Sequence, residues 1–158
     1  MILEFGTFSK QIYPDPRAFF EDVGAFLERL PWSVQFSVES PNEEFLCAEY
    51  FDNLRSHGVA HVFNSWTPMP SLADQLQIDD AFTAPHTVAR ALLRPGRAYD
   101  QSVAMFSPYR GIREVYPEGR EALRSMIRES MGRKRKTYIH INNRLEGSAI
   151  ETIGAIVE

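Results

Sequence analysis

"YIHINNRLEG", residues 138–147, sets Ile139 and Ile141 against Tyr138, His140 and Asn142. Alternation with a period of two marks a β-strand, whose successive side chains point to opposite faces. One face here is apolar, the other is polar, and the strand ends on two asparagines. Such a strand suits the wall of a polar cavity. "SVQFSVE" at 33–39 repeats the pattern, with Val34, Phe36 and Val38 opposite Gln35, Ser37 and Glu39. "ILEF" at 2–5 sets Leu3 and Phe5 against Glu4. Two further strand-like runs are "VAHVFN", 59–64, and "HTVARALL", 86–93. In the first, His61 and Phe63 share one face while Asn64, and Trp66 beyond it, take the other. In the second, Arg90 falls with Val88 and Leu92.

Between these runs the period changes to that of a helix. Phe19, Phe20, Val23, Phe26, Leu27 and Leu30 recur at helical spacing; Pro16 suits a first helical position and Pro31 a stop. "EYFDNLRSHG" at 49–58 reads as a short helix stopped by Gly58, and "SLADQLQ" at 71–77 as a weak one. Helices are expected near 99–106 and 117–131, and a last one at 148–157 carries Ile150, Ile153, Ile156 and Val157 on one side. Five strands separated by helices imply an α/β protein with a mostly parallel sheet and right-handed crossovers. A doubly wound sheet and a section of a (β/α)8 barrel both satisfy that order. Sheets covered by helices on both faces read as continuous apolar runs. The one-sided polarity therefore favours a partial barrel of about five parallel strands. In either architecture, binding groups gather at the carboxyl ends of the strands.

Bulk properties narrow the function classes. The chain has 158 residues, 44% hydrophobic and 24% charged, which is one globular domain's worth. A net charge of −4 and a pI near 5.6 give no global attraction to nucleic acid or an anionic membrane. Cys47 is the single cysteine, which rules out an internal disulfide or a cysteine zinc cluster and fits a reducing cytoplasm. No apolar run approaches the roughly 20 residues of a membrane span. No P-loop or dinucleotide fingerprint is present.

The candidate site follows from the polar strand faces. Glu39, at a strand end, can serve as general base, metal ligand or hydroxyl acceptor, or form an ion pair with Arg90. His140, which can change protonation near neutral pH, and Asn142, a donor and an acceptor, fall on the same side as Glu39. Asn64 ends the third strand, and Trp66 follows in the "NSWTPMP" loop, where it can stack on a planar or sugar-like ligand. Asn143, on the other face, is expected to cap the last helix. Glu4, Glu39, His61 and His140 together offer mixed oxygen and nitrogen donors, but no close-spaced ligand motif supports them, and no metal residue is assigned. Arg94 or Arg97 can hold a phosphate or carboxylate. The basic run Arg133 to Lys136 precedes a strand and reads as a solvated helix end.

Several stretches also resemble a known family. "EYFDNLRSHGVAHVFNSWTPMPSL", "RALLRPGRAYDQ", "FSPY" and "YIHINNRLEG" are similar to the YecE-like family, domain of unknown function 72. The resemblance implies a TIM-like barrel, whose full size is roughly 250 residues. It aligns 1–158 as a single domain with strands four to eight, without the family's first three strands. Arg90 matches the family's strand-seven arginine. Pro41 stands where the family has an arginine, and Pro85 and His86 stand where an acidic residue is common. The implied function is binding of a small polar or phosphorylated ligand, with acid–base or metal-assisted chemistry at Glu39 and His140. Asn142, Arg90, Trp66 and Asn64 would contact that ligand, and no cofactor is assigned. The alternative is a non-catalytic truncated barrel that self-associates, or pairs with a partner, through open sheet edges.

Overall fold

A computed structural model of the chain describes residues 1–158 apart from Lys10, Trp32 and Pro41, so the Pro41 departure lies outside the described residues. The order is β1 (Ile2–Glu4), α1 (Pro16–Leu27), β2 (Ser37–Glu39), a 3-10 turn (Glu43–Phe45), α2 (Ala48–Ser56), β3 (Ala60–Asn64) and α3 (Leu72–Gln75). β4 (His86–Ala91), α4 (Tyr99–Phe106), α5 (Pro117–Gly132), β5 (Lys136–Ile141) and α6 (Ala149–Val157) complete it. Local chemistry fixes the ends. Asp15 caps α1 by accepting the Arg17 N–H, with Pro16 in the first turn. Gly58 follows α2 at φ +64°, where a side chain would be strained. Ser148 caps α6, and the Asn143 Oδ1 accepts the Ala149 N–H at 2.7 Å, as expected of it.

The five strands pair in the order β1-β2-β3-β4-β5, all parallel. A doubly wound sheet reverses its strand order at a switch point. This sheet has no reversal, which settles the choice left open by periodicity in favour of a partial TIM-like barrel.

Register sorts every strand residue onto one of two faces. Leu3, Val38, Phe63, Ala89 and Ile139 pack with α1, α2, α5 and α6 in one large core. Ile2, Ala60, Val62, Ala84 and Val88 form a small apolar patch on the opposite face. Beyond that patch, toward the carboxyl ends, the same face becomes polar.

Three details depart from expectation. β2 is only Ser37–Glu39, and Val34, expected on its apolar face, lies outside the strand and is exposed. α6 turns Thr152 and Ile156 inward, leaving Ile150, Ile153 and Val157 exposed. The reason is polar: the Thr152 hydroxyl donates to the buried Glu146 carboxylate at 2.7 Å, fixing the rotation of the helix. His61 is the third departure, and it concerns the site.

Candidate functional site

The polar face ends in a ladder set by register. Glu4 pairs with Glu39, and Asn64 pairs with Arg90, which pairs with His140. At the strand ends Glu39, Asn64, Trp66, Arg90 and Asn142 line one cavity of about 430 Å³. Glu4 and Arg144 line it too. His140 is exposed and sits in a neighbouring pocket of about 360 Å³ that shares Glu4, Arg90 and Asn142 with the first. The structure thus places five of the six expected site residues around one cavity and the sixth beside it. A larger hollow of about 660 Å³, next to Phe82, Glu129 and Arg133, holds none of them.

The centre of the cavity wall is an ion-pair triad. Arg90 donates to the Glu39 carboxylate in a short contact and lies 2.6 Å from Glu4. Glu39 is 5% exposed whereas Glu4 is open to solvent. Burial pushes the Glu39 carboxyl above its usual range; Arg90 pulls against this and the Glu4 charge adds to it. The pair expected as an alternative to function is therefore present, and it holds Glu39 at the cavity rather than away from it.

Two asparagines are oriented by their own backbone. The Asn64 Oδ1 accepts the Trp66 N–H at 3.1 Å, and the Asn142 Oδ1 accepts the Arg144 N–H at 3.0 Å. Each bond spans two residues, the reach of an Asx turn, and each fixes which end of the amide is the free one. The Asn64 Nδ2 is buried and has no hydrogen-bond partner among the described residues. Asn64 is held further by Gln75 of α3, which accepts its N–H at 3.2 Å and donates to its carbonyl at 2.6 Å. The Ser65 hydroxyl accepts the Leu92 N–H at 2.8 Å, bracing the β3 end against β4.

The "NNRLEG" segment divides its labour residue by residue. Asn142 and Arg144 face the cavity, Asn143 caps α6, and Leu145 is core. Glu146 is fully buried, yet it accepts from Arg120 at 2.8 Å, the Tyr116 N–H at 2.5 Å and Thr152. Burial alone would raise its carboxyl; those donors outweigh burial and hold it below the usual carboxylate range. Gly147 has φ +114°, and a Cβ there would meet the Gly111 carbonyl at 2.5 Å.

Two readings are corrected here. His61 pairs in register with Val38 and points into the helix-side core, among Tyr50, Phe51 and Phe63, so it cannot join Glu4 and Glu39. Among the described residues no three His, Cys, Asp or Glu side chains come together as a metal site. Arg94 and Arg97 both pair with Glu114, Arg97 at 2.9 Å, so an acidic partner already engages the guanidiniums proposed as anion holders, although the Arg97 Nη1 stays buried without a partner among the described residues. Sequence reasoning missed Arg144, which lies 4.5 Å over the Tyr99 ring, and Gln75. The signal for Arg144 was its place inside the quoted motif.

A sequential parallel sheet with helices on one face and a polar cavity at its carboxyl ends defines a segment of TIM-like barrel wall. The chain belongs to the family described as "Protein of unknown function DUF72", which matches residues 5–158. Among solved structures it is similar to a DUF72 family protein of Thermotoga maritima, at 17% identity and a TM-score of 0.68. That alignment covers 99% of this chain and 55% of the other. A DUF72 family protein of Enterococcus faecalis aligns at 13% identity and a TM-score of 0.61, over 99% of this chain and 58% of the other. The chain therefore spans a little over half the length of these relatives. No curated protein matches it. No helix among the described residues is long and apolar enough to cross a membrane.

Proposed function

We propose that the cavity at the strand ends binds a small polar or phosphorylated ligand, with Glu39 as its acid–base group. The observation that carries this is a nearly buried carboxylate, raised by that burial, facing an open cavity beside a single guanidinium. Perturbed carboxylates in clefts are the groups that move protons. Arg90 orients Glu39, Asn64 and Asn142 supply donors to the ligand, Trp66 flanks it, and the His140 imidazole stands at the rim. Fold likeness contributes only the expected location of the site. Acid–base chemistry is favoured over a metal-assisted route because Glu4 and Glu39 are taken up by Arg90 and, among the described residues, no third ligand stands with them.

A thermal-shift screen of polyols, carboxylates and sugar phosphates on the wild type and on Glu39→Gln tests the reading. Ligands that stabilise the wild type and lose their effect in the variant support it. Ligands acting equally on both remove Glu39 from the site.

A second reading is pairing through the sheet edges, with or without catalysis. β5 is an edge strand with Tyr138 45% exposed, and α6 behind it exposes Ile150, Ile153 and Val157. An unpaired strand edge beside an apolar helix face favours addition of a further strand and helix. Light scattering on the wild type and Ile153→Glu is the check. A larger species that dissociates in the variant supports the reading, and a monomer in both cases removes self-association.

A further inference from the structure

We propose that the ligand carries an oxyanion, phosphate or carboxylate, held by Asn64, Asn142 and Arg144 rather than by Arg90; this rests on the pocket reading above and adds the ligand's charge. Arg90 is already neutralised, since both Glu39 and Glu4 contact it. Arg144 lines the same cavity, has no ion pair or side-chain hydrogen bond among the described residues, and keeps its Nε buried without a partner. The Tyr99 ring beneath it supports its guanidinium without satisfying its N–H groups.

The asparagines add two donors of fixed orientation. Each spends its Oδ1 on the N–H two residues ahead, at 3.1 Å for Asn64 and 3.0 Å for Asn142, so the amide nitrogen remains for the cavity. Asn64 is 1% exposed, and its unpartnered Nδ2 is a desolvated donor. Buried donors are rarely left unpaired, because each one unmade costs on the order of 1–3 kcal/mol. A cavity whose free groups are an amide donor on β3, a second after β5 and an uncommitted guanidinium selects acceptor oxygens. A negative charge on those oxygens would replace the compensation that Arg144 lacks.

The test is a titration with inorganic phosphate and, separately, acetate, followed by the side-chain amide resonances of Asn64 and Asn142 in 1H–15N spectra. Asn64→Asp keeps the acceptor for the Trp66 N–H and turns the free donor into a negative acceptor. Arg144→Gln removes the charge, and Arg144→Lys restores it. Dispersed backbone spectra establish that each variant is folded. The expected result is movement of both amides, weakening of binding by at least about tenfold in Asn64→Asp and Arg144→Gln, and partial recovery in Arg144→Lys. Preference for phosphate over acetate, or the reverse, names the source of the oxyanion. Unmoved amides, or variants that bind as the wild type does, overturn the assignment. If ligands from the thermal-shift screen still depend on Glu39 in that case, the pocket reading survives; if none does, both readings fail.

Discussion

Protonation of His61 in the unfolded chain gives the protein a pH dependence that the fold itself sets. His61 is 1% exposed and packed edge-on against the rings of Tyr50, Phe51 and Phe63 at centroid distances of 5.0–5.7 Å. Its Nδ1 lies 3.3 Å from the Tyr50 hydroxyl, which donates to the Val38 carbonyl at 3.4 Å. With Nδ1–H donating to Tyr50, all three groups are satisfied and Nε2 is left as an unprotonated nitrogen with no hydrogen-bond partner among the described residues. A proton there would bury a cation with no anionic partner, so burial lowers the imidazole pKa to about 3, with the neighbouring Gln75 amide pulling weakly the other way. In the unfolded chain the ordinary value of about 6.5 returns. Between those two values the unfolded state holds the extra proton, so stability rises with pH in that window and is lost as pH falls. From pH 7 to pH 5 the unfolded histidine gains close to 1.4 decades of proton binding while the folded one gains almost none, about 2 kcal/mol of lost stability. His61→Phe removes the titration and leaves Tyr50 its Val38 acceptor. Urea unfolding of both proteins at the two pH values isolates the effect, because the other groups cancel in the difference. His86, whose imidazole is also lowered, first by burial and then by the chain's amino terminus, is common to both proteins. The wild type is expected to lose about 2 kcal/mol more than the variant over this interval. Parallel losses would show that His61 is not a desolvated neutral imidazole.

Other substitutions probe the supports of the site. Arg90→Met leaves Glu39 buried without its cation and should cost about 3 kcal/mol at pH 7.5 in urea unfolding, whereas Arg90→Met combined with Glu39→Gln should recover most of it. The loss should shrink toward acid pH, where protonation of Glu39 removes the uncompensated charge. Glu146→Ala strands the partly buried Arg120 and the Tyr116 N–H, and a loss of about 3 kcal/mol by the same measurement is expected. The Glu146 contribution is present above the ordinary carboxylate pKa and disappears as pH falls through its lowered value. Gly147→Ala forces a Cβ against the Gly111 carbonyl at a φ that side chains avoid, and a fall in Tm of several degrees tests it, about 1–3 kcal/mol.

The fold was legible wherever one strand face alternated against another. Alternation at 2–5 and 138–142 identified an exposed or cavity face because a barrel wall has helices on one side only. It also brought Glu39, His140 and Asn142 to one face; Asn64 and Arg90 join that face only through the pairing register between strands, which alternation within a single strand does not carry. His61 had the parity of Phe63 throughout; grouping it with Glu39 ignored that parity in favour of residue type. The inward face of α6 was not legible, because four apolar side chains outvote one threonine in any periodicity count. The hydroxyl's bond to Glu146 is a tertiary contact. Arg94 and Arg97 looked free for a related reason: Glu114, which pairs with both, comes from a distant loop. Arg144 and Gln75 act through loop geometry and backbone bracing, which leave no periodic trace.

A crystal structure of the chain soaked in phosphate tests the central claim most directly. Density between the Asn64 Nδ2, the Asn142 Nδ2 and the Arg144 guanidinium, with Glu39 and Arg90 still paired beside it, is the predicted result. Phosphate bound elsewhere while that space holds only water hydrogen-bonded to Asn64 would contradict it.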